Sequence, residues 1–163
     1  MKTLLIMRHA KSSWKEQEIP DHDRPLKKRG RKDIGNIAKV LKKKGLVPDL
    51  ILSSTATRAK DTAKLLIDKL GYKGKLELLE NLYMAEPDTY IQKIATVGNK
   101  IDTLLIVGHN PGLEGLVMTF GDKIASLPTG SIAKIYLFID KWSELTSETD
   151  GEINHIWLPE DYR

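Results

Sequence analysis

Three apolar runs in this 163-residue chain stop abruptly at groups that carry chemistry, and this pattern limits the fold more than any other feature. The first reads Leu4-Leu5-Ile6-Met7-Arg8-His9. The second is Leu50-Ile51-Leu52, which passes through Ser53, Ser54 and Thr55 to Arg58. The third is Leu104-Leu105-Ile106-Val107-Gly108-His109. Short unbroken apolar runs between helical stretches mark strands buried on both faces of a parallel sheet. In open sheets of that kind, ligands gather beyond the carboxyl ends of the strands. The pattern therefore predicts that two arginines and two histidines meet at one rim.

The rest of the chain agrees with this architecture. Strand Thr3–Met7 is followed by a polar loop through Pro25. A helix is expected from Leu26 to Lys44, with Leu26, Ile34, Ile37, Ala38 and Leu41 at helical spacing and Gly45 and Pro48 closing it. The expected order then runs strand Leu50–Leu52, helix Ala56–Leu70, strand Leu76–Leu79, helix Asp88–Val97, strand Thr103–Val107 and helix Leu113–Phe120. Strand Ala133–Phe138 and a last strand, Ile153–Leu158, flank only a polar stretch, Asp140–Gly151, and are expected to pair as a hairpin. The fold class is α/β: a three-layer α/β/α sandwich with a mostly parallel central sheet and an antiparallel edge. No linker or repeat divides residues 1–163, so one domain is expected.

Composition narrows the function. Cysteine is absent, which excludes disulfides, thiolate metal sites and cysteine nucleophiles. No apolar run is long enough to cross a bilayer or serve as a secretory core, so the expectation is a cytoplasmic protein without a membrane partner. Much of the net charge of +4 falls between Lys27 and Lys44. One reading is a solvated helix face; the other is a docking patch for an acidic partner. No aromatic residue lies between Trp14 and Tyr72 to stack on bases, so nucleic acid is not an expected partner.

Arg8 and Arg58 can hold the non-bridging oxygens of a phosphoryl group in a fixed fork. Their field keeps His9 neutral and nucleophilic, and a ring nitrogen attacking phosphorus gives a covalent phosphohistidine. His109, if protonated, can donate to an oxygen that gathers charge in the transition state. Because the arginines neutralise charge, no metal or other cofactor is expected. Asp21 and Asp23 have no third carboxylate nearby in sequence to complete a cation site.

Arg8-His9-Ala10-Lys11-Ser12 resembles the Arg-His-Gly signature of the histidine phosphatase (phosphoglycerate mutase-like) superfamily, with Ala10 in place of the glycine. Ser53 to Ala59 with Thr62-Ala63 resembles its second arginine motif, and Gly108-His109-Asn110-Pro111 its second histidine motif. Within the superfamily the chain is most similar to the SixA-type phosphohistidine phosphatases, by its short length, its Asp23-Arg24-Pro25-Leu26 stretch before Arg29-Gly30, and the lack of a long inserted lid. The resemblance implies a phosphoglycerate mutase-like fold, with His9 phosphorylated and Arg8, Arg58 and His109 completing the pocket. Ser12 and Asn110 are further expected to line the substrate site.

The general acid stays open. Glu80 matches imperfectly a glutamate found in larger members, and capping the turn before Tyr83 is its other reading. His22 and His155 read as structural. The expected partner is a phosphorylated protein bearing phosphohistidine. The alternative is a small phosphorylated metabolite, whose remaining groups Lys11, Arg24 and Lys60 could grip.

Overall fold

The computed structural model describes residues 1–15 and 18–163; residues 16 and 17, within the polar loop expected before Pro25, lie outside the described residues. A six-stranded sheet is built from β1 (Lys2–Arg8), β2 (Leu50–Ser54), β3 (Lys75–Leu79), β4 (Thr103–Gly108), β5 (Ile132–Leu137) and β6 (Gly151–Trp157). Its order is β3-β2-β4-β1-β5-β6. The first four positions are parallel neighbours, whereas β5 runs antiparallel to β1 and β6 antiparallel to β5. The mixed sheet is the one expected from the sequence.

Side-chain alternation splits the apolar runs between two cores. Leu4, Ile6, Leu104 and Ile106 face one core, and Leu5, Met7, Leu105 and Val107 face the other. Helices α3 (Pro87–Ile94) and α4 (Gly112–Gly121) cover the first with Tyr90, Ile94, Leu113, Leu116, Val117 and Phe120. Helices α1 (Lys28–Lys43) and α2 (Thr57–Leu70) cover the second with Ile34, Ile37, Leu41, Ala59, Ala63 and Leu66. Each fully buried leucine or isoleucine contributes about 1.5–3 kcal/mol. The middles of the central strands are apolar because neither of their faces meets water there.

Both long helices on that second face end the same way. Gly45 at φ 68° and Gly71 at φ 67° adopt the left-handed conformation that a Cβ would strain. Their amides donate to Lys42 and Asp68, while the next amides, of Leu46 and Tyr72, reach back to Leu41 and Ile67. These caps turn the chain into β2 and towards β3.

Several boundaries differ from the expectation. Strand β2 continues through Ser53 and Ser54, both buried, because their hydroxyls find partners inside the fold. Helix α3 stops at Ile94 rather than Val97, in tighter turn bonds from Thr96 to Lys93 and from Val97 to Ile94. Strand β6 begins at Gly151, two residues earlier than expected, and its pairing with β5 is irregular between Lys134 and Ile135. The stretch before it is not simply a polar loop. Trp142 is fully buried there, its indole N–H donating to the carbonyl of Ile101 at 2.6 Å. Among the described residues, no helix is long and apolar enough to cross a membrane.

Candidate active site

Parallel pairing puts the three strand ends side by side. Arg8 is in register with Gly108, and Ser53 with Val107. The His9 amide donates to the carbonyl of Gly108 at 3.1 Å. The next amide, of Ala10, donates to Thr62 Oγ1 at 3.0 Å, and that hydroxyl donates in turn to the carbonyl of Arg58 at 2.7 Å. Strand β1 and helix α2 are thus tied together immediately behind the site.

The two imidazoles lie with ring centroids 5.2 Å apart. His9 Nδ1 sits 2.7 Å from the carbonyl oxygen of Ala10. A carbonyl can only accept, so Nδ1 carries the proton and the lone pair is on Nε2. Burial above all, joined by the charges of Arg58, Arg8 and Arg24, lowers the His9 pKa to about 4. The ring is therefore a neutral nucleophile at pH 7.

His109 Nε2 lies 2.8 Å from Ser54 Oγ, which already accepts the Ala56 amide at 3.1 Å. Among the described residues the proton of that hydroxyl has no acceptor other than Nε2, which assigns the ring proton to Nδ1. Burial first, then His9 and the arginines, pushes the His109 pKa down to about 3. Donation from His109 therefore needs no second proton, since the neutral ring donates through Nδ1–H.

Arg58 is buried and Arg8 half-buried, and the Nε of each is buried without a partner. Arg8 donates from Nη1 to the carbonyl of Leu127 at 3.1 Å. Arg58 is gripped by a single residue: Nη1 donates to the Asp21 carbonyl at 2.7 Å and Nη2 to Asp21 Oδ2 at 3.0 Å. Among the described residues, the buried side-chain nitrogens and oxygens without a partner are Arg8 Nε, Arg58 Nε, His109 Nδ1 and Asn110 Oδ1. All four residues line one open cleft of about 340 Å³, together with His9. Three of these four atoms are donors in a positively charged setting, which suits an oxyanion.

A family model described as the histidine phosphatase superfamily (branch 1) matches residues 4–83, the span holding β1, β2 and their arginines. This chain belongs to the histidine phosphatase superfamily. An uncharacterized protein of Mycobacterium tuberculosis (strain CDC 1551 / Oshkosh) is 40% identical over 112 residues, covering 69% of this chain and 68% of that relative. The solved structure of the protein histidine phosphatase SixA complexed with tungstate shares the fold at a TM-score of 0.85 and 22% identity, covering 99% of both chains. A mycobacterial glucosyl-3-phosphoglycerate phosphatase shares it at a TM-score of 0.70 and 14% identity, covering 96% of this chain and 99% of that one. The three-layer sandwich is therefore the phosphoglycerate mutase-like fold of this superfamily.

The structure brings Arg8, His9, Arg58, His109, Ser12 and Asn110 to the cleft. Ser12 Oγ accepts from Arg24 Nη1 at 2.8 Å, and Asn110 Nδ2 donates to the carbonyl of Leu127 at 2.9 Å. Glu80 is placed elsewhere. It opens the short turn Glu80–Leu82, is exposed to solvent and is not among the cleft-lining residues. His155 is a surface residue of β6, as read from its alternating strand.

Sequence reasoning missed the group that organises the mouth. Asp21 accepts from Arg24 Nε at 3.0 Å, from Arg58, and from the hydroxyl of Tyr83. The Tyr83 hydroxyl above all, then the arginines, holds the Asp21 carboxyl well below the usual carboxylate range. The ring of Tyr83 stands edge-on to His109 at 5.5 Å and to His22 at 4.8 Å. His22 in turn bonds Thr55 Oγ1 at 2.9 Å. The i, i+3 spacing of Asp21 and Arg24 was the available signal; nothing in the sequence announced Tyr83.

Proposed function

We propose that this chain is a phosphatase that removes the phosphoryl group from phosphohistidine in proteins through a covalent intermediate on His9. The observation that supports it is the set of unpaired buried donors, on Arg8, Arg58 and His109, around the free Nε2 of His9. Arg8 and Arg58 hold the phosphoryl oxygens, and His109 Nδ1–H donates where charge gathers. His9 Nε2 forms a bond to phosphorus while the bond from phosphorus to the substrate nitrogen breaks. The substrate ring takes a proton from solvent at its other nitrogen before the bond breaks, so it leaves as neutral imidazole and the step asks nothing of Glu80. Water then forms an oxygen–phosphorus bond as the His9–phosphorus bond breaks, losing a proton to solvent and releasing phosphate while His9 returns to its neutral Nδ1–H form. The open cleft and the fold shared with a protein histidine phosphatase favour a protein side chain as substrate.

Rapid quenching after incubation with an activated phosphate donor tests the intermediate. The expected result is an acid-labile, base-stable adduct on the peptide containing His9. His9→Ala abolishes both adduct and turnover while the melting temperature stays within a few degrees. Turnover by the His9→Ala protein ends this mechanism. Hydrolysis of a small phosphorylated metabolite tenfold faster in kcat/KM than a phosphohistidine peptide transfers the reading to the alternative substrate class.

A further inference from the structure

One wall of the cleft is a short two-stranded ladder outside the main sheet. Ser12 bridges Leu26 in antiparallel fashion, the Ser13 amide donates to the Pro25 carbonyl at 2.8 Å, and the Lys27 amide to the Lys11 carbonyl at 2.8 Å. This register sets Lys11 directly opposite Lys27. Both line the cleft, and among the described residues neither has a carboxylate within 4.0 Å. The pairing is enforced by close packing, since a Cβ on Gly30 would lie 2.4 Å from the Lys11 carbonyl oxygen. Like charges directly opposite each other in a ladder are destabilising.

A third cation completes the wall. Arg24 is 7% exposed, and its guanidinium stacks 3.4 Å from the Trp14 ring centre and is oriented by Asp21 and Ser12. Among the described residues, Asp21 is the one carboxylate lining the cleft, and it is already engaged by Arg24, Arg58 and Tyr83. The first turn of α1 adds Lys28, Arg29 and Arg31 and no acidic residue. The ladder fixes the backbone of Lys11 and Lys27, whose charges have no carboxylate partner among the described residues, and such a surface suits a partner of the opposite sign.

We infer that Lys11, Lys27 and Arg24 form a second anion subsite for an acidic side chain flanking the phosphohistidine of a protein substrate. This rests on the phosphohistidine reading above. Lys42, Lys43 and Lys44 take no part in it. They close α1 just before β2 begins, which puts them at the amino edge of the sheet, opposite the cleft.

The test uses two phosphohistidine peptides that differ only in having Asp or Asn beside the phosphohistidine, with p-nitrophenyl phosphate as a third substrate. The wild-type protein is expected to favour the Asp peptide about tenfold in kcat/KM, through KM, as two or three partly exposed ion pairs allow. Lys11→Ala with Lys27→Ala brings that ratio to about one. Lys11→Arg with Lys27→Arg restores it, and the triple alanine variant of Lys42, Lys43 and Lys44 keeps it. Because Lys11 and Lys27 stand opposite each other in the ladder, their double alanine variant is expected to melt no lower than wild type. Equal rates on both peptides in wild type, or a ratio unmoved in the double alanine variant, overturns the subsite and leaves the phosphohistidine reading standing. Hydrolysis of p-nitrophenyl phosphate with neither peptide cleaved overturns both.

Discussion

Two regions meet at the cleft and are built by different rules. The strand-end group, Arg8, His9 and His109, is fixed by backbone: register between β1 and β4, and amides tied to Gly108 and Thr62. The rim group, Asp21, His22 and Tyr83, comes from loops and is held by side chains reaching each other across the mouth. Arg58 belongs to both, since it starts on α2 but its guanidinium is clamped by Asp21. The difference teaches that position and orientation are supplied separately here. The sheet delivers the reactive groups to one edge, and the rim sets the angle at which one of them is presented.

Arg58 is where that comparison breaks most violently. Lysine offers a point charge and cannot bind Asp21 through two nitrogens while leaving a third free. Arg58→Lys is expected to lower kcat/KM about 100- to 1,000-fold, roughly 3–4 kcal/mol, on both a phosphohistidine peptide and an aryl phosphate. Added chelator is expected to change neither rate, because two guanidiniums already neutralise the phosphoryl oxygens. An Arg58→Lys variant within fivefold of wild type would mean that the clamp orients nothing the reaction uses.

Acid separates the two regions by pH. His9 and His109 titrate near 4 and 3 against an ordinary value of 6.5, so the unfolded chain binds more protons than the folded one between those values. Stability contributed by their neutral forms is complete above pH 6.5 and is lost as pH falls towards 4, with a ceiling of about 3 kcal/mol for His9. Asp21 runs later. Its folded pKa lies below 3.8, so its contribution is present above that value and lost only as pH falls further. Thermal melts from pH 7.5 to 1.5 are expected to show two stages, the histidines' beginning near pH 6.5 and that of Asp21 below 3.8. His9→Ala reduces the first to the part carried by His109, and Asp21→Asn alters only the second. A single stage removed by either variant would merge the two regions into one titrating unit.

The strand ends were legible in the sequence because an apolar run must stop somewhere, and stopping at Arg8, Arg58 or His109 has few structural explanations. The two-core sheet followed from the same runs. What escaped was whatever depends on loops meeting. Asp21 read as a stray carboxylate because its partners, Arg58 and Tyr83, lie 37 and 62 residues away. Trp142 was hidden in a polar stretch, since one aromatic carries no periodicity to betray its burial. Ser54 lay beyond the expected strand end at Leu52, yet it extends β2 and bonds the ring of His109.

Asp21→Asn at neutral pH tests the clamp more gently than a change at Arg58. The amide keeps one oxygen for an arginine and turns an N–H donor towards another, so one charged hydrogen bond is lost. The expected fall in kcat/KM is about 30-fold, near 2 kcal/mol, with kcat carrying most of it.

Tyr83→Phe gives the smallest effect and the sharpest distinction within the rim. The substitution removes the hydroxyl that donates to Asp21 and keeps the ring that stands against His109 and His22. Asp21 retains both arginines, so Arg58 stays clamped and the loss is one hydrogen bond on a partly exposed carboxylate. A threefold fall in kcat/KM, about 0.6 kcal/mol, is expected, together with a rise in the Asp21 pKa that brings the second acid stage to higher pH. The double variant Tyr83→Phe with Asp21→Asn then decides how the rim works. If the hydroxyl acts only through Asp21, the double variant is no worse than Asp21→Asn alone. If the two losses add, Tyr83 touches the reaction by a second route, through its ring against His109, and the division between strand ends and rim has to be redrawn there.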